Sequence, residues 1–139
     1  MPPPLDHPSL NLQLWTQPFF VLQLQRDEEI PSSIIELLKG GPSQFLSVTR
    51  THEETSLVGE YHDWMPQNFK EKSTWSCIKI MGPMEHNLTG ILAAFSLPLK
   101  LAEIPIFALS TWNTDYVLVP SVMAKEAVNA LKEDGWAFV

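Results

Sequence analysis

Apolar and polar positions first alternate at residues 19 to 25, FFVLQLQ, where Phe20, Leu22 and Leu24 recur at every second place and predict a strand. The pattern then changes period. In PSSIIELLKGG, residues 31 to 41, Ile34, Leu37 and Leu38 share one helical face behind Pro31 and the capping candidates Ser32 and Ser33, and Gly40-Gly41 ends the helix. QFLSVTR (44 to 50) and TSLVGE (55 to 60), joined by the charged THEE, predict a hairpin. Residues 61 to 74, YHDWMPQNFKEKST, are polar, contain Pro66 and show no period, so they read as a linker.

Beyond the linker the same kinds of element recur. WSCIKIM, 75 to 81, alternates and stops at Gly82-Pro83. From Asn87 to Glu103 the set Leu88, Ile91, Leu92, Phe95, Leu99 and Ala102 keeps helical spacing, with Asn87 as the expected cap and Pro98 expected to kink or shorten the helix. IPIFALST, 104 to 111, is nearly all apolar, as a central strand is, and YVLVP, 116 to 120, is its hairpin partner. SVMAKEAVNALKEDG, 121 to 135, predicts a closing helix capped by Ser121 and ended by Gly135, and WAFV offers a last edge strand.

This order spells β-α-β-β-α-β in the second half and an abbreviated copy in the first, which predicts an α+β fold of two ferredoxin-like units with antiparallel sheets and helices on one face. The expected division is an extended arm over 1–11, rich in Pro2, Pro3, Pro4 and Pro8, an abbreviated unit over 12–65 and a full unit over 66–139. Units of roughly 65 residues bury too little surface to stand alone, so the two are expected to pack together.

Composition narrows the function classes. Sixteen acidic against nine basic residues give a formal charge of -7, which argues against nucleic acid or an anionic membrane as partner. One cysteine, Cys77, leaves no room for an intrachain disulfide framework or a cysteine zinc site. The N-terminus has neither a basic nor an apolar signal region. The longest apolar-rich run, 88 to 109, is broken by Ser96, Pro98, Lys100, Glu103 and Pro105, so the chain reads as soluble and cytoplasmic.

Between the last two apolar strands lies STWNTDY, residues 110 to 116, more polar than a turn requires. Either its side chains cap their own backbone, or something binds there. His7, His52, His62 and His86 are scattered through loops, and THEE lacks the second histidine and the helix of a zinc motif, so no metal and no cofactor are expected.

Taken together, SVTRTHEETSLVGE and WSCIKIMGPMEHNLTGILAAFSLPLKLAEIPIFALSTWNTDYVLV resemble the tandem ACT-domain family of small bacterial and fungal proteins, related to the ACT pairs of the animal cytosolic arginine sensor. The likeness covers about 45 to 139 well and 12 to 44 loosely; its most specific parts are GP followed by LTGIL, and STWNTDYVLV. It implies tandem ACT units and a regulatory sensor that binds an amino acid or similar metabolite and works through protein contacts, as a homodimer or with a partner protein.

Position by position, the resemblance implies ligand contacts at Leu88, Thr89, Gly90, Pro105, Ile106, Thr111, Trp112 and Asp115. The sensor's acidic residue in the loop before the helix falls on Leu88 here, which weighs against arginine itself, and MEHN also departs from the family pattern. The physical reading runs alongside. A helix start at Leu88, Thr89 and Gly90 offers N-H groups to a carboxylate. Asp115 can hold an ammonium group through bonds worth about 1.5 to 3 kcal/mol each. Thr111 and Asn113 would complete the polar rim, and Trp112 would cover a side chain. An enzyme using Glu85, His86 and Asp115 for acid-base chemistry is the alternative, and an interaction protein without a ligand is a third.

Overall fold

The structure is a computed structural model that describes residues 8–83 and 90–139. In chain order its strands are β1 (Leu12–Leu14), β2 (Phe19–Gln25), β3 (Leu46–Arg50), β4 (Glu54–Glu60), β5 (Trp75–Ile80), β6 (Phe107–Ser110) and β7 (Asp115–Pro120). Its α-helices are α1 (Ser32–Leu38), α2 (Gln67–Glu71), α3 (Ile91–Leu101) and α4 (Ala124–Glu133), with single 3-10 turns at Pro8–Leu10 and Ser121–Met123. The chain divides into two compact units: Gln17–Trp75, and the N-terminal stretch up to Thr16 with Ser76–Val139. The division expected from the sequence has its boundary at 65/66, so the structure assigns β1 and α2 to units other than those expected.

In the first unit the strands lie in the order β3, β4, β2, all antiparallel, and Trp75 pairs with Phe19 at the position a fourth strand would take. The alternation noted at 19 to 25 is the buried face: Phe20, Leu22 and Leu24 of β2 and Leu57 of β4 meet Ile34 of α1 and Phe69 of α2. One corrected expectation lies here. Residues 61 to 74 are not a bare linker, because α2 occupies Gln67–Glu71, starts behind Pro66, and buries Phe69 edge-on against Phe20 at 4.9 Å. Proline fits a helix start because its missing N-H has no partner there in any case.

In the second unit the order is β6, β7, β5, β1. Ile78 and Ile80 on β5 and Val117 and Val119 on β7, each pair two residues apart and so on one face, pack with Phe95 and Leu99 of α3 and Ala127 and Leu131 of α4. Each such Val, Leu, Ile or Phe side chain contributes about 1.5 to 3 kcal/mol of burial. The edge strand expected from WAFV is reduced to a single parallel bridge, Leu12 to Phe138. The place beside β5 goes instead to β1, whose Leu12 and the preceding Leu10 are fully buried.

Both helices of this unit end alike. After α4 the N-H of Gly135 donates to Lys132 and that of Trp136 to Leu131; after α3 the N-H of Glu103 donates to Lys100 and that of Ile104 to Leu99. This is the Schellman pattern, whose turning residue takes a left-handed backbone. Gly135 takes it at φ 102° without cost, whereas Glu103 takes it at φ 59° as a residue with a Cβ. Helix α3 runs through Pro98 to Leu101. Its cap in the described residues is Gly90, and the cap expected at Asn87 lies outside them.

Candidate functional site

The STWNTDY stretch forms the tip of the β6-β7 hairpin, and its polar groups are tied to one another. Ser110 and Asp115 face each other as the last pair of the ladder, and the Ser110 hydroxyl donates to the Asp115 carboxylate at 2.6 Å. Within the four-residue loop the Thr111 N-H donates to the Thr114 carbonyl at 2.9 Å, and the Thr114 N-H donates to Thr111 Oγ1 at 3.4 Å. The first unit has the same device at its own hairpin. There the Thr51 N-H donates to the Glu54 carbonyl at 2.9 Å while Thr51 Oγ1 accepts the Glu54 N-H at 3.2 Å. A threonine at the head of the loop closes both turns, as Ser and Thr hydroxyls do when they imitate a further backbone group.

The remaining loop residues differ in where they point. Thr114 is buried, and its hydroxyl donates to the Ile80 carbonyl at 2.6 Å, across to the end of β5. Trp112 stands 81% exposed at the tip. Asn113 is exposed, and its backbone carbonyl approaches Gly82, where an added Cβ would meet that oxygen at 3.2 Å and the Thr114 Cβ at 3.0 Å. Glycine at 82, with φ +61°, is therefore what lets the hairpin tip lie against the β5 end.

The end of β5, at Gly82, thus sits next to Asn113 and Thr114. Gly90 caps α3 with a left-handed φ of 73°, and among the described residues no side chain caps the helix and none comes within 4 Å of where a Cβ would stand. The first-turn N-H groups of this eleven-residue helix follow directly, at its positive end. Leu88 and Thr89, expected at the same helix start, and Glu85 and His86, named for the acid-base alternative, lie outside the described residues.

Pro105 and Ile106 precede β6, whereas Thr111 follows it, so the two groups of expected contacts stand at opposite ends of a four-residue strand. That strand spans about 13 Å. Ile106 packs against the apolar core of its unit and Pro105 is exposed. Pro105 thus stands at the end of this hairpin away from Asp115. Gly82 and Thr114 were not among the expected site residues. The signal for Gly82 was the glycine itself at a strand end, whereas nothing in the sequence separates the buried Thr114 from the exposed Thr111.

Asp115 is followed by Tyr116, whose ring meets Trp15 edge-on at 5.8 Å and lies under the Lys79 ammonium, 5.9 Å from the ring centre. Burial, and behind it the charge of the Cys77 thiolate form, pushes the Tyr116 phenol above its ordinary value of 10.0. Among the described residues no group of three or more His, Cys, Asp or Glu side chains is placed to hold a metal ion, and no helix is long and apolar enough to cross a membrane.

An α+β unit of this topology, with a hairpin tip seated on the end of the neighbouring strand, is the ACT fold. Residues 70–133 match the ACT domain as a sequence family. The chain is similar over nearly its whole length to protein Atu0741 of Agobacterium tumefaciens, with 31% identity, 93% of this chain and 91% of that one covered, and a TM-score of 0.77. It shares its fold with a Vibrio cholerae protein of unknown function, VC0802, at 18% identity and TM-score 0.63, covering 89% of this chain and 91% of that one. The ligand-free regulatory subunit of aspartate kinase from Thermus thermophilus likewise shares the fold, at 11% identity and TM-score 0.62, over 89% of this chain and 96% of that one. The chain belongs to the ACT-domain family, whose members serve as amino-acid-binding regulatory domains.

Proposed function

We propose that this chain is a tandem pair of ACT-type units that binds an amino acid, or a metabolite with the same head group, and passes its occupancy on through protein contacts. The observation that carries the reading is the seating of the β6-β7 tip against the end of β5, at Ile80 and Gly82. In this reading the Asp115 carboxylate accepts the ligand's ammonium group, and the first-turn N-H groups of α3, the helix that follows β5 in the chain, receive its carboxylate. The Ser110 bond uses one of about four acceptor positions on the Asp115 carboxylate and leaves the others to a ligand.

Two observations support the rest. The matched threonine-closed loops at Thr51 and Thr111, each after a strand-helix-strand run, support the tandem reading. Leu97 and Leu101, one turn apart on α3 and 52% and 75% exposed, line a groove of 370 Å³ between α3 and α4 that would serve a protein contact.

The test is a thermal-shift screen of the purified chain against the twenty amino acids. A ligand held at one hundred times its dissociation constant adds about 2.7 kcal/mol of stability, a shift easily read for a chain of this size. A set of twenty flat melting curves would sink the amino-acid reading.

A further inference from the structure

We propose that the first unit carries a second binding site, for a small organic cation with an alkylammonium head, in the hollow lined by Trp64, Glu36, Ser33, Leu37 and the turn Gly40-Gly41-Pro42. The hollow measures 370 Å³, within the lower range of small-molecule sites. It lies wholly inside Gln17–Trp75 and shares no residue with the hairpin-tip site.

Three features point to a cation. The Trp64 indole is 52% exposed, although tryptophan brings the largest apolar surface of any side chain and the core of this unit lies close by. Its ring is not loose: His62 stacks on it with planes 4° apart and centroids separated by 5.6 Å. The parallel imidazole beside it restrains the plane of the indole, which lines the hollow. An indole face is the best aromatic partner for a cation.

The lining also supplies one charge, and it is negative. Among the described residues Glu36 is the only ionisable one of the lining, and its carboxylate already holds an ammonium, the Lys39 Nζ, at 3.2 Å. Both side chains of that pair are about 70% exposed. An exposed pair of this kind is worth about 0 to 1 kcal/mol, so an incoming ammonium that also gains the indole face displaces or shares it. Leu37 and Pro42 add the apolar walls that would meet the carbon substituents of such a head. A neutral apolar ligand would leave the carboxylate without use, and an anion would be repelled by it.

The experiment titrates choline chloride, and in parallel its neutral isostere 3,3-dimethylbutan-1-ol, into the ¹⁵N-labelled chain while following the Trp64 indole N-H resonance, assigned by its loss in Trp64→Phe. Choline should shift that resonance saturably and the isostere should not. Glu36→Gln should weaken choline binding at least fivefold, and Lys39→Ala, by removing the resident ammonium, should tighten it. These residues are exposed, so unchanged melting temperatures of the variants will show that the fold is intact. Equal shifts from choline and the alcohol, no saturable shift with choline, or indifference to Glu36→Gln would each overturn the proposal.

Discussion

The Thr114 hydroxyl donates to the Ile80 carbonyl at 2.6 Å, and this bond pins the tip of the β6-β7 hairpin to the end of β5. Both partners are buried, so breaking it removes a hydrogen bond at a site closed to water. Thr114→Val, which keeps the shape and removes the donor, should lower stability by about 1 to 3 kcal/mol. Thr114→Ser should recover most of the loss. Urea midpoints at constant slope check both.

Gly82 and Gly90 both adopt positive φ, but only Gly82 has neighbours where a Cβ would stand. Gly90→Ala should therefore cost about 1 kcal/mol, the backbone penalty alone. Gly82→Ala adds contacts at 3.0 Å with Thr114 and 3.2 Å with Asn113, and should cost roughly 1 to 3 kcal/mol more. Equal losses for the two would mean that the hairpin tip yields freely, and that the close seating is not maintained in solution.

Much of both units was legible in the sequence because the signals are local. The period-two run at 19 to 25, the Gly135 stop and the switch from helical to strand spacing after Glu103 each depend on near neighbours. β1 was not legible for the opposite reason. Its three residues pair with β5, far along the chain, and Leu10, Leu12 and Leu14 alone are too short a pattern to separate from an extended arm. Helix α2 was missed because five residues with one buried aromatic show no period, although Met65 and Phe69 at a four-residue spacing behind Pro66 were the available cue. The role of STWNTDY was undecidable in principle. Threonine, asparagine and aspartate are the residues that close turns and also those that hold polar ligands, and only the observed bonds separate Thr111 and Thr114, which serve the fold, from Asp115, which keeps acceptor capacity.

Glu103 is a residue with a Cβ in the left-handed position that Gly135 fills at the end of α4. Its side chain is exposed, and the Glu103 to Lys100 and Ile104 to Leu99 bonds, with the burial of Leu99 and Ile104, hold the backbone there. Glu103→Gly should raise stability by about 0.5 to 1 kcal/mol, the left-handed penalty reduced by glycine's extra freedom in the unfolded chain. A rise in melting temperature of several degrees with unchanged cooperativity is the expected readout.

Tyr116 gives the alkaline limit of stability a local cause. Its phenol is held above 10.0 in the folded chain by burial and by Cys77. Below about pH 10 the phenol is protonated in folded and unfolded chains alike, and its contribution is fully present. As pH rises past that value the unfolded chain releases the proton first, so stability falls until the folded phenol also ionises. Tyr116→Phe should flatten the decline, measured as urea midpoints across that range. An identical slope in wild type and variant would show that other groups set the alkaline limit.

Asp115 has two roles that substitution can separate. Its carboxylate accepts the Ser110 hydroxyl at 2.6 Å, a contact that serves the hairpin, and it is the acceptor proposed for a ligand's ammonium group. Ser110→Ala removes the first role and spares the second. It should cost about 0.5 to 1.5 kcal/mol of stability and leave the ligand-induced thermal shift intact. Asp115→Asn keeps an acceptor oxygen for Ser110 but removes the charge, so it should leave the unliganded melting temperature nearly unchanged and weaken binding by at least tenfold, the effect of losing about 1.5 to 3 kcal/mol of charge-assisted bonding. Should Ser110→Ala abolish the ligand shift while Asp115→Asn preserves it, the carboxylate serves the turn alone, and the ammonium acceptor must be sought on another element.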